Sequence, residues 1–264
     1  MCSKHRDATP EACSLAGMTA NPGRSTELRS LPVLGVVGGC GGIGATRFAA
    51  TLAAVAARPG RRSVLIDLDL AGGGIDVPLG IDGVPGARWS GLRLAGGRLD
   101  PGTVFDGLPH WSCSSGAVAV LAADTPEPPA AAVLGQVVAA ARAAGPVVLD
   151  LARWQCGARS AALALCDLVV LVAAADVRAV AGARGVGRAV AEEAPGVDIG
   201  AVVVARRGSA RAVAQLVGVP LLGRFRRPAL RADVALSPAG LSVSACRAAT
   251  AVLARFRAGE PVHR

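Results

Sequence analysis

The sequence predicts an α/β fold in which one parallel, doubly wound sheet carries helices on both faces. The chain has 264 residues and is 52% hydrophobic, which is enough for one or two domains with a sizeable core. Short, continuous runs of Val, Leu and Ile indicate strands that are buried on both faces of a sheet. These runs alternate with longer Ala-rich segments, an order that is typical of parallel sheets with helical crossovers.

Seven continuous apolar runs predict the strands in chain order. They are Val33–Val37, Ser63–Leu68, Ala117–Ala122, Pro146–Leu151, Asp167–Ala174, Ile199–Ala205 and Val219–Leu222. Five segments with helical character predict helices. They are Thr46–Ala57, Pro129–Ala144, Asp176–Glu193, Ser209–Val217 and 242–257. We expect a disordered N-terminal arm over residues 1–31, because that stretch is polar and aperiodic, a folded domain over 32–258 and a tail over 259–264.

Composition excludes several classes of function. The net charge is +9, yet the arginines are scattered and no aromatic residues are interleaved with them, so we expect no sequence-specific nucleic-acid binding. The seven cysteines form no CxxC pair and the three histidines lie far apart, which argues against a zinc or iron–sulfur site. Scattered thiols and the absence of a signal-peptide core or a long apolar run favour a cytoplasmic location.

The first predicted strand runs into a glycine-rich loop. Five of the seven residues in Gly38–Gly44 are glycine, and a predicted helix follows at once. Such a loop brings backbone N–H groups close to a ligand, and the helix N-terminus adds a partial positive charge. The loop therefore predicts a site for phosphate groups.

One class of nucleotide-binding protein that fits the loop binds dinucleotides. Gly39, Gly41 and Gly44 have the spacing of the dinucleotide fingerprint, and Asp67 ends the next strand 23 residues later, where an acid binds ribose. The loop also looks like that of short-chain dehydrogenases, which use a Tyr–Lys pair. This chain has no tyrosine and no lysine beyond Lys4, so that chemistry is excluded. Non-catalytic dinucleotide binding stays open, and in that case Asp150 has no role.

The other class that fits the loop is the P-loop NTPases. Against the pattern Gly-Lys-Gly-Gly-x-Gly-Lys-Thr, Cys40 and Ala45 replace the two lysines, whereas Thr46 remains. A hydrophobic strand that ends in Asp150 has the form of a Walker B strand, whose carboxylate holds the hydration shell of Mg²⁺. The order and spacing of these features favour this class over the first.

These features resemble the MinD/ParA superfamily of deviant Walker A ATPases, and within it the CpaE-like, septum site-determining branch of actinobacteria. The resemblance covers about residues 32–258 and implies a P-loop NTPase-like sheet. Four groups of residues carry it, namely Gly39–Thr46, Val64–Val77, Val84–Ser90 with Ala95–Arg98, and Asp167–Val172 with Asp176–Val180.

The resemblance also implies cofactors and roles for individual residues. ATP and Mg²⁺ are the implied cofactors, and the implied phosphate-binding residues are Gly41, Gly42, Ile43, Gly44, Ala45 and Thr46. Thr46, Asp67 and Asp150 are implied to serve the metal, and Asp69 is implied to orient the attacking water in catalysis.

The missing lysines lead us to expect very slow ATP hydrolysis or none. Members of the superfamily dimerise around ATP and lend the first loop lysine to the partner's phosphates, so the resemblance implies a homodimer. Cys40 supplies no cation for that purpose. We hypothesise that Arg47, in the first turn of the helix, supplies the missing positive charge to the nucleotide.

The expected function is that of a nucleotide-binding or pseudo-ATPase regulator of septum-site placement or of pilus or secretion-system localisation. Its implied partner is a protein of the division or secretion machinery. A third possibility, besides this regulator and the dinucleotide-binding protein, is a DNA-associated partition-type protein. Its contacts with DNA phosphates would come from Arg206, Arg207, Arg211, Arg224, Arg226 and Arg227.

The helix that follows Leu241 resembles the membrane-targeting helix of MinD but has few bulky apolar residues. We expect it to pack on the sheet, so that any membrane association is peripheral, at the inner face of the plasma membrane.

Overall fold

In the part of the chain that the structure describes, eight strands form a single sheet, and most of them coincide with the continuous apolar runs of the sequence. The computed structural model describes residues 31–57, 62–92, 99–113, 116–153, 157–205, 209–226, 236–237 and 240–258. The strands are β1 Val33–Gly38, β2 Ser63–Leu68, β3 His110–Cys113, β4 Gly116–Leu121, β5 Val147–Leu151, β6 Leu168–Ala174, β7 Asp198–Val204 and β8 Leu221–Phe225. Their order across the sheet is β3-β4-β2-β5-β1-β6-β7-β8.

All neighbouring strands are parallel except β3, which pairs antiparallel with β4 at one edge. The first strand therefore lies in the middle of the sheet, between β5 and β6. In register, Val36 of β1 lies beside Asp150 of β5, which in turn lies beside Asp67 of β2. The carboxyl ends of three central strands consequently meet at one edge of the sheet.

Helices cover both faces of the sheet. They are α1 Ala45–Ala56, α2 Asp76–Leu79, α3 Pro101–Asp106, α4 Ala131–Ala144, α5 Gly157–Leu163, α6 Val177–Glu193, α7 Ala210–Val217 and α8 Val243–Ala258, with a short 3₁₀ helix at Trp89–Gly91. Side chains alternate between the faces along a strand. Val33 and Val37 pack in the core under α3 to α7, whereas Leu34 and Val36 pack in the core under α1 and α8.

The predicted fold class is confirmed, and the sequence missed only elements with weak apolar patterns. Strand β3 contains His110, Ser112 and Cys113 and pairs on one side only, so it lacks the continuous apolar run used to find the other strands. Three short helices, α2, α3 and α5, were also not predicted.

The C-terminal helix packs as expected. In α8, Ala245, Ala248, Ala249, Val252 and Leu253 are buried in the core that α1 also covers. Within the described ranges, no helix combines the length and the apolar character needed to cross a bilayer.

Several predictions fall on parts of the chain outside the described residues. The predicted arm lies outside them except for Leu31, and the tail 259–264 lies wholly outside. The stretch Ala95–Arg98, which carries part of the family resemblance, also lies outside. The described residues between Leu31 and Ala258 belong to one compact unit.

Candidate functional site

The glycine-rich loop joins β1 to α1 at the carboxyl edge of the sheet. Gly42 and Gly44 have φ angles of +66° and +96°, a backbone conformation that side chains with a Cβ rarely adopt. Gly44 is the N-cap of α1 and makes no side-chain capping hydrogen bond. The first-turn N–H groups of a helix have no intrahelical acceptor, so such an end can donate hydrogen bonds to an anion.

Helix α6 fixes the start of the loop from one side. A methyl group on Gly39 would lie 2.6 Å from the Cβ of Ala183, and one on Gly182 would lie 2.5 Å from the carbonyl oxygen of Gly39. The N–H of Gly39 also donates to the carbonyl of Val172 at 2.8 Å. Only glycines allow the loop and the helix to approach this closely, so the loop is held in place before any ligand binds.

Asp150 is a buried acid without full hydrogen bonding. It is 2% exposed, and among the described residues its Oδ2 has no hydrogen-bond partner. Burial raises the pKa of Asp150 well above its ordinary value, and the neighbouring charges of Asp67 and Asp69 raise it further. Hydrogen bonding from the Thr46 hydroxyl acts in the opposite direction. The carboxylate therefore faces the predicted metal-binding threonine with one oxygen left for a ligand.

Asp67 is also buried, but the backbone satisfies its carboxylate. Its Oδ2 accepts from the N–H groups of Ile75 and Ala123 at 2.8 and 3.2 Å, and its Oδ1 accepts from the N–H of Asp69 at 3.0 Å. Burial raises the pKa of Asp67 to about 6, although these three hydrogen bonds lower it. A carboxylate so engaged, and only 2% exposed, fits a supporting role better than contact with a ribose.

Asp69 lies one residue beyond β2, in the turn that leaves the sheet. It is half-buried, and its carbonyl accepts from the N–H of Gly72 at 2.8 Å. Its charge is close enough to raise the pKa values of both Asp67 and Asp150. The structure thus brings Thr46 and the three predicted aspartates to the same edge of the sheet.

The segment Val84–Ser90, which carries part of the family resemblance, contains an arginine and a tryptophan that hold it against β2. Arg88 pairs with Asp76 at 3.1 Å and donates to backbone carbonyls of the segment before it, while Trp89 Nε1 donates to the carbonyl of Asp67 at 2.7 Å. Both members of the ion pair are nearly buried, with side chains 13% and 12% exposed. These contacts fasten the segment after β2 against the end of that strand.

Arg47, the predicted source of positive charge, lies in the first turn of α1 and is half-buried. Its carbonyl accepts from the hydroxyl of Thr51, and its side chain makes no ion pair within the described part of the chain.

Arg153 stands in none of the motifs that the sequence shows. This arginine follows β5, and a methyl group on Gly41 would lie 3.5 Å from its Nη1 and 3.9 Å from its Nη2. No motif spacing could have found it.

The donor set at this edge suits Mg²⁺ bound together with a nucleotide. Mg²⁺ prefers oxygen ligands and usually binds through one or two protein groups plus phosphates and water. Among the described residues, no three His, Cys, Asp or Glu side chains cluster so as to hold a metal by themselves. An ion here would therefore take Thr46 and Asp150 as its protein ligands and its other ligands from phosphate and solvent.

The structure describes only some of the arginines that the DNA-binding alternative would use. Of its six arginines, Arg211, Arg224 and Arg226 are described and exposed, while Arg206, Arg207 and Arg227 lie outside the described residues. This alternative stays a prediction.

Comparison with known sequences finds two curated relatives that are equally similar to this chain. The chain is 40% identical over 201 residues to the uncharacterized proteins Rv3660c and MT3760 of two Mycobacterium tuberculosis strains. The match covers 74% of this chain and 54% of each relative, so the chain spans about half the length of the curated relatives it matches. No protein-family model matches the chain.

Comparison with solved structures identifies the fold. A chain of the MinC:MinD cell division protein complex from Aquifex aeolicus superposes with a TM-score of 0.64 at 18% identity, covering 88% of this chain and 99% of that chain. A ParA family ATPase from Chlorobium tepidum gives 0.63 at 18% identity over 75% and 85% of the two chains. The septum site-determining protein MinD from Pyrococcus horikoshii, complexed with Mg-ADP, gives 0.61 at 17% identity over 87% and 98%. The chain therefore has the fold of the MinD and ParA ATPases.

Proposed function

We propose that this protein belongs functionally to the MinD/ParA type and binds ATP together with Mg²⁺ at the carboxyl edge of β1, β2 and β5. One observation carries the proposal: Asp150 interacts with the Thr46 hydroxyl at the end of the glycine loop, but its buried Oδ2 has no hydrogen-bond partner among the described residues. A buried carboxylate oxygen without a partner is costly, and a bound cation relieves that cost.

The chain's own residues divide the work of binding. The backbone N–H groups of Gly41–Thr46 would hold the phosphates, and the N-terminus of α1 would favour their negative charge. Thr46 and Asp150 would hold Mg²⁺, and Asp67 would support the metal shell from its fixed position on the neighbouring strand. Asp69 would orient a water molecule. When bound, the metal neutralises phosphate charge.

The loop itself argues for slow turnover. Neither Cys40 nor Ala45 can supply the cation that a loop lysine places on the transferred phosphate. Loss of such a cationic group costs about 10³–10⁵ in rate in related phosphoryl-transfer systems. We therefore propose a nucleotide-responsive protein in which binding, and not rapid hydrolysis, carries the signal.

The biological role that we propose is CpaE-like regulation of septum-site placement, or of pilus or secretion-system localisation. Its support is the family resemblance of the loop and the strand ends, together with a fold shared with cell division MinD. The proposed partners are a second copy of this chain and a protein of the division or secretion machinery, in the cytoplasm or at the inner face of the plasma membrane.

A thermal-shift panel with ATP, ADP and NAD, each with and without Mg²⁺, tests the proposal. We expect ATP and ADP to raise the Tm, and the rise to be larger with Mg²⁺, because a ligand stabilises the state that binds it. A rise with NAD alone would favour the dinucleotide alternative, in which Asp67 binds ribose. No rise with any nucleotide would exclude nucleotide binding by this chain.

A further inference from the structure

The glycine loop of the candidate site has no lysine to balance the negative charge of nucleotide phosphates. The phosphates of ATP carry several negative charges, and related loops balance them with lysines, but this loop has Cys40 and Ala45 at those positions. The only lysine of the chain, Lys4, lies in the predicted arm, outside the described residues. The end of α1 offers about half an elementary charge. A cation from another part of the fold would complete the site.

We propose that the guanidinium group of Arg153 binds the phosphates held by the glycine loop, in place of the two missing lysines. This inference rests on the proposed nucleotide binding and names a further residue of the same site. The geometry places Nη1 and Nη2 of Arg153 at 3.5 and 3.9 Å from the point that a methyl group on Gly41 would occupy. The guanidinium therefore lies over the middle of the loop, where Gly41 leaves room for it.

A buried arginine of α5 holds the backbone at Arg153. Arg159 of α5 is 1% exposed, and its Nη1 donates to the carbonyl oxygen of Arg153. Nη2 of Arg159 pairs with Glu193 of α6. The segment after β5 is thus tied to two helices, so the position of Arg153 relative to the loop depends on buried contacts and not on an exposed turn alone.

Asp150 and Arg153, which would bind the metal and the phosphates of a nucleotide, lie close together in the sequence. Arg153 follows Asp150 by three residues, so one short segment brings both the carboxylate for the metal and a cation for the phosphates. An arginine is suited to this task, because its planar fork donates two parallel hydrogen bonds to phosphate oxygens and stays charged at any working pH.

Arg47 is the competing candidate. It lies in the first turn of α1 and is half-buried, and its side chain makes no ion pair within the described ranges. The two arginines therefore make separable predictions for affinity.

Titration calorimetry of the full chain with Mg-ATP and with AMP separates them. We expect Arg153→Ala and the closer mimic Arg153→Gln to weaken Mg-ATP binding by about 10- to 100-fold, which is the range for a lost hydrogen bond to a charged group. Arg153→Lys should recover part of the loss. Preference for ATP over AMP should fall in the Ala and Gln variants, which a merely structural role would not cause.

Matched variants keep the outcomes distinct. Arg184→Ala removes an exposed arginine of α6 and should leave the affinity unchanged. If the wild type binds Mg-ATP and both Arg153→Ala and Arg153→Gln bind equally well, the assignment of Arg153 is wrong while nucleotide binding stands. If only Arg47→Ala weakens binding, the cation is Arg47. If the wild type itself binds no nucleotide, the proposed function fails as well.

Discussion

Three aspartates are buried among the described residues, and the charge of each is balanced in a different way. Asp76 pairs with Arg88, and Asp67 accepts three backbone hydrogen bonds. Asp150 has neither arrangement, and its Oδ2 lacks a partner among the described residues. Buried polar atoms are nearly always hydrogen-bonded, so this exception supports the proposal that a ligand completes the site.

The two central carboxylates should make the unliganded protein less stable as pH rises. The pKa of Asp67 is raised from 3.8 to about 6, so the folded state holds this proton more tightly than the unfolded chain does. The associated stability is fully present below pH 3.8 and is lost as pH rises through about 6, on the order of 3 kcal/mol. The raised pKa of Asp150 acts in the same direction. Urea denaturation between pH 4 and pH 8 measures the free energy of unfolding.

Asp67→Asn provides the control for this pH dependence. Because the variant cannot ionise at position 67, its free energy of unfolding should vary less with pH over the same range than that of the wild type. If both proteins show the same pH dependence, the carboxylate of Asp67 is not the group responsible.

At the scale of elements, the contact between the loop and α6 determines the geometry of the site. Gly39 and Gly182 approach so closely that a Cβ on either would overlap its neighbour. Helix α6 also pairs with α5 through Glu193 and Arg159, whose guanidinium holds the segment after β5. One helix therefore contacts the loop directly and, through Arg159, supports the segment that carries Arg153.

Two glycines of α6 provide a matched pair of substitutions. Gly182→Ala should lower the free energy of unfolding by about 1–2 kcal/mol, because overpacking against Gly39 outweighs the gain in helix propensity. It should also weaken Mg-ATP binding. Gly185 is exposed with nothing within 4 Å, so Gly185→Ala should stabilise the protein by about 0.5–1 kcal/mol and leave binding unchanged. Equal effects of both substitutions on binding would contradict the role of this contact.

At the scale of the whole molecule, much of the fold could be predicted because burial on both faces leaves a clear pattern. Strand β2 begins and ends where its apolar run does. For the other predicted strands, most of the ends lie within two residues of the observed ends. Edge strand β3 escaped prediction because pairing on one side tolerates polar residues such as His110 and Ser112.

The candidate site was predictable only where its residues follow strands. Thr46, Asp67, Asp69 and Asp150 come directly at strand or loop ends, so a parallel sheet brings them together. Arg153 could not be predicted, because its approach to Gly41 depends on how the segment after β5 is anchored by Arg159. Arg159 lies only six residues from Arg153, but its ion pair with Glu193 joins residues 34 positions apart, and neither contact forms a recognisable motif.

The dependence of ATP affinity on Mg²⁺ in the wild type and in Asp150→Asn tests the central claim most directly. Calorimetric titrations with and without Mg²⁺ give the gain in affinity that the metal provides in each protein. We predict a clear gain in the wild type and little or none in Asp150→Asn, with binding in the absence of metal largely preserved, because the substitution removes one of the two proposed protein ligands of the ion. An equal gain in both proteins would contradict the assignment of Asp150 as the metal-binding carboxylate.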